Sequence, residues 1–312
     1  MFSRSAATSL RDSIAAGKPD RDLVTQYCSH YGLEFGSVAS HDFQFLDSAG
    51  HQVILQRFSL PIAQQKGTAF LLHGYFAHVG LFGKLISHCL RRGFSVVIAD
   101  WPGHCLSSGP QADIDTFARY CQVLTDSLNA SDGVANRPWL CIGQSTGAAV
   151  LVDALLHHGL NRSFDISRIV LLAPLLRTAH WWRSKLGFAV ARWFVPRIQR
   201  NFSLNSHDDA FREFLKHSDD LQSKVIPRSW IAAMMEFEKR FQRSGPLSYP
   251  VHIIQGTGDT TVDWQYNLPR LEQKFPGTTS YLVADARHHL VNEAPDYRDR
   301  VFTLLSEILD EI

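Results

Sequence analysis

The chain has 312 residues, of which 45% are hydrophobic and 20% charged, as expected for a globular protein with a sizeable core. Its formal net charge of +1 gives no reason to expect nucleic acid as a partner. No apolar run is long enough to span a membrane, the amino terminus lacks the apolar stretch of a secretory signal, and five cysteines without a CxxC spacing favour reduced thiols and a cytoplasmic location.

The beginning of the chain predicts a peripheral arm followed by the edge of a sheet. We expect residues 1–35 to form the arm, with a helix over residues 20–31. Two strands are predicted near residues 41–46 and 52–58. The turn residues Asp47 to Gly50 between them favour an antiparallel hairpin at one sheet edge.

Buried strands and helices then alternate along the chain. Continuous apolar runs joined by helices are typical of a mostly parallel sheet that is covered on both faces. The predicted strands cover residues 68–72, 94–99, 139–142, 168–172, 251–254 and 279–283, and the predicted helices cover residues 81–92, 114–128, 148–156 and 296–309.

The alternation is interrupted between the strands at 168–172 and 251–254. Residues 175–247 show no strand pattern and predict a helical insertion into one sheet domain, which comprises residues 36–174 and 248–312. The early part of the insertion combines aromatic residues with several arginines and no acid. Helix packing or a lid explains this composition, and docking on a lipid surface is the alternative.

The most informative stretch runs from the apolar strand 139–142 into Gly143-Gln144-Ser145-Thr146-Gly147 and a following helix. Strand, G-x-S-x-G and helix together predict a nucleophile elbow, in which Ser145 has a strained backbone. Gly143 and Gly147 are expected there because a Cβ at either position crowds the turn. The free N–H groups at the start of the helix favour developing negative charge.

A serine nucleophile needs a base and a group that orients the base. In open α/β sheets these come from loops at the carboxyl ends of strands. Two such loops follow the insertion, residues 255–263 with Asp259 and Asp263, and residues 285–290 with His288 and His289. The resulting order of serine, aspartate and histidine is that of an α/β-hydrolase.

From about residue 40 to its end, the chain resembles an α/β-hydrolase of the monoacylglycerol lipase and lysophospholipase group. The resemblance implies an α/β-hydrolase fold with a helical lid inserted after the sixth strand. It implies Ser145 as nucleophile, Asp259 as triad acid and His288 as base, with the N–H groups of Tyr75 and Thr146 as the oxyanion hole. The segments that carry it are LLHGY, DWPGHCLSSG, GQSTG, QGTGDTTVD and ARHHLVNE.

Asp263 and His289 are the alternatives to the implied triad residues Asp259 and His288, and the chain differs from the family at one other position. Asp263 is interpreted as the cap of a helix that begins nearby, and His289 as a solvated or packing neighbour of His288. Where the family has G-H-G, this chain has Gly103-His104-Cys105. If that last position needs a positive φ, Cys105 is strained.

The function implied by the resemblance is a serine ester hydrolase that acts on monoacylglycerol or lysophospholipid-type esters. We expect the acyl chain to contact Trp181, Trp182, Trp193 and Phe194 of the insertion. A short-chain carboxylesterase, a thioesterase and an acyltransferase are the alternatives within the enzyme class. A non-catalytic binding protein with this fold is disfavoured because the three triad residues are all present in order.

No cofactor is implied, and no metal site is expected because the sequence lacks ligand spacings such as HExxH. The expected partner is a small-molecule acyl ester or lipid. Transient contact of the insertion with a membrane surface is also predicted, and the sequence leaves the oligomeric state open.

Overall fold

The computed structural model describes residues 1–182, 197–200 and 204–312. The strands in chain order are β1 (Ser40–Ser48), β2 (His51–Ser59), β3 (Gly67–Leu72), β4 (Phe94–Ala99), β5 (Trp139–Gln144), β6 (Ile166–Leu172), β7 (Arg197–Gln199), β8 (Val225–Pro227), β9 (His252–Gly256) and β10 (Thr279–Val283). The α-helices with described bounds are α1 (Arg4–Ala15), α2 (Arg21–Tyr31), α3 (Gly83–Arg91), α4 (Phe117–Asn129), α5 (Thr146–His157), α6 (Leu160–Ser163), α7 (Asp209–His217), α8 (Arg228–Arg243), α9 (Trp264–Lys274) and α10 (Pro295–Asp310).

The main sheet has eight strands in the order β1-β2-β4-β3-β5-β6-β9-β10. β1 and β2 form the predicted antiparallel hairpin at one edge, and β2 also pairs antiparallel with β4. All other neighbours are parallel. The fold class predicted from the sequence, a mostly parallel sheet flanked by helices, is therefore confirmed.

The central strands are buried on both faces, because successive side chains of a strand point to opposite sides. Ala69 and Leu71 of β3 belong to a core layer that includes residues of α1, α2, α3 and α10. Phe70 and Leu72 belong to the opposite layer, with residues of α4, α5, α8 and α9. Continuous apolar sequence in β3, β4 and β5 matches this two-sided burial.

The amino-terminal segment is built into the first of these core layers. The helix predicted over residues 20–31 is α2, and Asp20 caps it by accepting from the N–H groups of Asp22 and Leu23. Tyr27 of this helix is fully buried, and its hydroxyl accepts a hydrogen bond from Gln56 Nε2. The sequence analysis did not predict α1, which also contributes buried residues.

The insertion lies between β6 and β9, the position at which the sequence pattern is interrupted. The prediction that it contains helices alone is wrong. Besides α7 and α8, it contains the short antiparallel pair of β7 and β8, in which Ile198 lies opposite Ile226. Strands of three residues are too short to show an alternating pattern, so sequence periodicity could not reveal them.

Parallel pairing brings the carboxyl ends of β3, β5, β9 and β10 to one edge of the sheet. The residues that follow these four strands include Tyr75, Ser145, Asp259 and His288. The fold thus places the loops named in the sequence analysis on the same side of the molecule.

Candidate active site

Ser145 occupies a strained turn between β5 and α5. Its backbone has φ 54° and ψ −110°, and its N–H donates to the carbonyl of Leu172 in β6 at 2.8 Å. A Cβ on Gly143 would lie 2.6 Å from the carbonyl carbon of Gly147, and one on Gly147 would lie 2.1 Å from Leu72 O. The strained elbow and the need for both glycines, as predicted, are present in the structure.

Ser145, His288 and Asp259 form one hydrogen-bonded row. His288 Nε2 lies 3.0 Å from Ser145 Oγ, and His288 Nδ1 lies 2.7 Å from Asp259 Oδ2. Asp259 Oδ1 also accepts from the N–H groups of Thr261 and Val262, at 2.7 and 3.2 Å. The three side chains are buried, so water competes little for these bonds.

The environment of Asp259 keeps its carboxylate charged. Burial opposes ionisation, but the charge and hydrogen bond of His288 and the two backbone N–H groups outweigh burial and lower the pKa of Asp259. An ionised Asp259 fixes His288 with Nδ1 as a donor, which leaves Nε2 free to accept the proton of Ser145.

The structure separates the two candidate acids and the two candidate bases. Asp263 caps α9, since its side chain accepts from the N–H of Tyr266 at 3.2 Å, as interpreted from the sequence. Among the described contacts, Asp259 bonds to His288 and not to His289, and the ring of His289 lies edge-on to Phe211, with centroids 5.4 Å apart. Burial, His288 and Arg200 lower the pKa of His289 to about 3, so this ring is neutral.

Tyr75 and Thr146, the predicted oxyanion donors, line the same cavity as Ser145. Thr146 is the first residue of α5, where a backbone N–H has no acceptor within the helix. The loop of Tyr75 is held from two sides: its carbonyl accepts a hydrogen bond from His104 Nε2, and its hydroxyl donates to Ala112 O at 2.6 Å.

Cys105 follows His104 at the position where the family has glycine. Its φ is 40°, in the left-handed region, so the strain expected from the sequence is present. The loop is anchored nearby by the buried carboxylate of Asp100, which accepts from the N–H groups of Val79 and Leu106 at 2.9 and 3.2 Å. These bonds join the loop of Cys105 to the segment that follows Tyr75.

The cavity above Ser145 has a volume of about 230 Å³ and a mostly apolar wall. The buried hydroxyls of Thr146, Thr178 and Thr261 find no hydrogen-bond partner in the described part of the chain. They give the cavity a polar side where a ligand hydroxyl or carbonyl would bind. The lining also includes His288 and His289 and the side chains of Tyr75, Phe76, Leu175, Arg200, Ile226, Trp230 and Val262.

Trp181 and Trp182, two of the four aromatic residues predicted to contact an acyl chain, are not among the described residues that line this cavity. Trp181 and Trp182 line a separate surface pocket with Arg177 and Tyr266, and Trp182 is 74% exposed. In the same segment the N–H of Ala179 donates to Thr261 O at 2.9 Å, and Thr178 lines the cavity. Trp193 and Phe194 lie outside the described residues.

Trp230 of α8 lines the cavity instead, and sequence reasoning did not select it. Its ring stacks on that of Tyr75, with centroids 3.7 Å apart and an angle of 19° between the planes. The contact joins the insertion to the predicted oxyanion loop. Helical spacing alone gives no signal for this role, because it is the same for a residue that packs and one that faces a ligand.

The family model described as serine aminopeptidase, S33, matches residues 63–295 of the chain. The chain belongs to this family. The α/β-hydrolase relationship predicted from the sequence motifs is thereby confirmed. A search of curated proteins found no match to the sequence.

Solved structures with a similar fold include two monoacylglycerol lipases. A soluble variant of the Saccharomyces cerevisiae monoglyceride lipase, in complex with a substrate analogue, has a TM-score of 0.71 and 18% identity over 88% of this chain and 96% of that one. The Paleococcus ferrophilus enzyme has a TM-score of 0.67 and 21% identity over 82% and 98%. A Bacillus coagulans carboxyl esterase in complex with glycerol has a TM-score of 0.66 and 15% identity over 88% and 99%. At these identities the likeness shows a shared fold.

Glu293 supports the loop that carries His288, a role that the sequence analysis did not predict. Its buried carboxylate accepts from the N–H groups of Arg287 and His207, both at 2.6 Å, and from Ser206 Oγ at 3.2 Å. It therefore connects the loop of His288 to the middle of the insertion. The sequence did contain an indication of this role. Glu293 is the only charged residue of the turn LVNEA, and a carboxylate that is buried with apolar neighbours needs hydrogen-bond donors.

Two groups of side chains have metal-ligand spacing in the described residues, both apart from the cavity lining. One contains His78, Asp100 and Cys105, and Asp100 is already bound to two backbone N–H groups. The other contains Asp153, whose carboxylate accepts from Arg240 Nη2 at 2.6 Å. A guanidinium on the carboxylate opposes a bound cation, so the group that contains Asp153 is interpreted as a hydrogen-bond network.

Within the described ranges, no helix is both long and apolar enough to cross a lipid bilayer.

Proposed function

We propose that the chain is a serine ester hydrolase that works through an acyl-enzyme. The observation that carries this proposal is the hydrogen-bonded row of Asp259, His288 and Ser145 at the base of a mostly apolar cavity. A serine on a strained elbow, next to an imidazole whose other nitrogen donates to a charged carboxylate, is the arrangement that activates a hydroxyl.

In the proposed reaction, His288 Nε2 takes the proton of Ser145 as Oγ bonds to the ester carbonyl carbon. The carbonyl oxygen becomes an oxyanion, which the N–H groups of Tyr75 and Thr146 stabilise. His288 then gives its proton to the leaving alcohol, and the ester bond breaks to form the acyl-enzyme. Water, deprotonated by the same nitrogen, attacks the acyl group, and release of the carboxylic acid restores Ser145.

The substrate class that we favour is a monoacylglycerol or lysophospholipid-type ester. The apolar side chains of Leu175, Ile226, Trp230 and Val262 support an acyl chain in the cavity, and the unpartnered threonine hydroxyls support a polar head group beside it. The fold shared with the monoacylglycerol lipases supports the same substrate class, although fold alone does not specify it.

A short-chain carboxylesterase is the second candidate, and the size of the cavity favours it. Pockets for drug-sized ligands span about 300–1,000 Å³. The volume of about 230 Å³ above Ser145 is smaller than this range. An acyl group of a few carbons fits such a cavity without any movement of the insertion.

The aminopeptidase activity in the family description receives no support from the cavity. Recognition of a peptide amino terminus requires an acidic group near the nucleophile, to pair with the ammonium. None of the described residues that line the cavity is aspartate or glutamate, and Arg200 brings a positive charge to the wall.

A first test is Ser145→Ala in the full chain. We expect ester turnover to fall by about 10⁴- to 10⁶-fold, and labelling by a fluorophosphonate probe to disappear from the intact mass. The thermal melt of the variant should remain close to that of the wild type. Turnover near the wild-type rate in a folded Ser145→Ala protein would refute the mechanism.

A second measurement separates the two substrate classes. The ratio kcat/KM is determined for esters of one alcohol with acyl chains of increasing length. A continuous rise with chain length supports the monoacylglycerol or lysophospholipid class, because each buried methylene contributes about 0.8 kcal/mol. A maximum at short acyl chains supports the carboxylesterase. Cytoplasmic location and transient membrane contact of the insertion stay predictions from the sequence.

A further inference from the structure

Arg200 places a guanidinium in the wall of the cavity that contains Ser145. It directly follows β7, and its backbone N–H donates to Lys224 O at 2.9 Å. Its Nη1 donates to Gln222 Oε1 at 2.6 Å and to Ser223 O at 3.3 Å. The guanidinium carbon lies 3.9 Å from the ring centroid of Phe76. These contacts fix a positive charge beside the loop that carries the proposed oxyanion donor.

No carboxylate in the described cavity wall neutralises this charge. The two stretches outside the described residues, 183–196 and 201–203, contain no aspartate or glutamate either. The acid whose charge acts on Arg200 is Asp219, but that carboxylate is bound to His78 Nε2 and to the hydroxyl of Tyr31, both at 3.0 Å, and does not line the cavity.

Arg200 is charged under all ordinary conditions. Burial lowers its pKa to about 10, which still leaves the guanidinium protonated at neutral pH. His289, which also lines the cavity, is neutral because its pKa is lowered to about 3. Among the described lining residues, Arg200 is therefore the source of permanent charge.

We propose that Arg200 selects ester substrates that carry a negatively charged group, either a phosphate on the head group or a carboxylate on the acyl chain. This inference rests on the proposed ester hydrolase function and adds the charge of the substrate to it. A guanidinium binds oxyanions through two parallel N–H bonds, and the apolar wall strengthens this attraction. A neutral ester of the same size gains nothing from the charge.

The alternative is a structural role, in which Arg200 only braces β7 against residues 222–224. Both roles predict a loss of activity when the side chain is removed. They differ in the ratio of kcat/KM for an anionic ester to that for its neutral counterpart. A weakened insertion lowers both values alike, and partial unfolding cancels from the ratio.

The kinetic test compares two substrate pairs in the full-length protein. An acylglycerol phosphate and the acylglycerol with the same acyl chain test a phosphate on the head group. The p-nitrophenyl half-ester of glutaric acid and p-nitrophenyl butyrate test a carboxylate on the acyl chain. We expect the wild type to prefer the anionic member of one pair by about 10- to 100-fold, the size of a charged hydrogen bond.

Arg200→Gln should reduce that preference to near unity, and Arg200→Lys should keep part of it. The matched control is Arg197→Gln, which removes an exposed arginine from the same short strand and should leave the ratio unchanged. A preference that survives in Arg200→Gln, or a wild type that prefers the neutral ester in both pairs, would overturn the proposal.

A binding measurement keeps this result separate from the hydrolase proposal. Octyl phosphate, nonanoate and octanol are titrated into the Ser145→Ala protein with and without Arg200→Gln. We expect one of the two anions to bind about 10- to 100-fold more tightly than octanol, and to lose that advantage when Arg200 is replaced. If no ester is hydrolysed but this difference is found, the function is wrong and the anion site stands. Equal binding of all three ligands refutes the anion site.

Discussion

The loops at the sheet edge and the insertion contribute different parts of the site. Ser145, Asp259 and His288 follow three strands of one sheet and are held by hydrogen bonds of 2.7 to 3.2 Å. The insertion supplies Ile226 and Trp230 of the cavity wall from β8 and α8, outside that sheet. The proposed chemistry therefore depends on the sheet-edge loops, whereas part of the cavity wall comes from the insertion.

The insertion is joined to the sheet domain by a few buried polar contacts. Asp219 bonds to His78 and Tyr31, and Arg240 of α8 donates from Nη2 to the buried carboxylate of Asp153 in α5 at 2.6 Å. Substitutions in the sheet-edge loops should lower activity toward all esters by the same factor. Substitutions in the insertion that touch the cavity should change the ratio between esters. The predictions that follow are ordered from the largest expected effect to the smallest.

The largest effect is expected from the two adjacent histidines. His288→Ala should lower kcat by about 10⁴- to 10⁶-fold for every ester, since the base for Ser145 is lost. His289→Ala should keep most of the activity, because its ring makes no bond to Asp259 among the described residues. Steady-state kinetics of both variants measure this, and the opposite result would show that His289 is the base.

The second effect is expected from the two aspartates of one loop. Asp259→Asn should lower kcat by about 10⁴-fold, because an amide in place of the charged carboxylate disturbs the tautomer and orientation of His288. Asp263→Asn should change kcat little, since asparagine also caps helices well. Equal losses in the two variants, measured with one ester, would contradict the assignment.

A smaller effect is expected when the support of the His288 loop is changed. Glu293→Gln leaves the buried N–H groups of Arg287 and His207 with a poorer acceptor. We expect kcat to fall by about 10- to 100-fold with little change in relative rates between esters. We also expect a loss of about 1–3 kcal/mol in the free energy of unfolding. The exposed Glu307→Gln is the matched control and should change neither quantity.

The stability loss in Glu293→Gln should depend on pH. Burial opposes the charge of Glu293, but its hydrogen bonds to backbone N–H groups and to His207 lower its pKa overall. A group with a lowered pKa in the folded protein adds stability above its unfolded pKa, about 4.3, and loses it as pH falls through the folded value. Chemical denaturation of both proteins should therefore show a difference that is full at pH 7 and shrinks below about pH 4. A difference that is constant with pH would contradict the role of the charge.

The smallest effect is expected in the cavity wall of the insertion. Ile226→Ala should lower kcat/KM for long-chain esters by roughly 4- to 15-fold relative to an acetate ester, the value of one or two methylene contacts. Trp182→Ala is the control, because Trp182 is 74% exposed in a separate pocket. A larger chain-length effect for Trp182→Ala than for Ile226→Ala would show that the acyl chain binds at Trp182, as predicted from the sequence.

Much of the site could be predicted from the sequence because its constraints are local. Gly143 and Gly147 indicate a turn in which a Cβ would clash with the backbone, and Asp263 directly precedes the helix that it caps. The role of Glu293 was less accessible, because its donors come from His207 and Arg287 on two separate segments. The sequence also offered no way to see that Trp181 and Trp182 line a separate pocket, since aromatic residues at helical spacing look the same wherever the helix lies.

The sequence by itself determined the parallel sheet, the elbow at Ser145 and the loops that carry Asp259 and His288, because burial pattern and turn sterics act between residues close in the chain. Only the tertiary structure decided that Trp230 stacks on Tyr75 and that Arg200 faces the cavity. Those contacts join residues far apart in sequence, and they depend on how the short strands β7 and β8 orient the insertion over the sheet edge. The periodicity of the sequence therefore does not reveal where the side chains of Trp230 and Arg200 point.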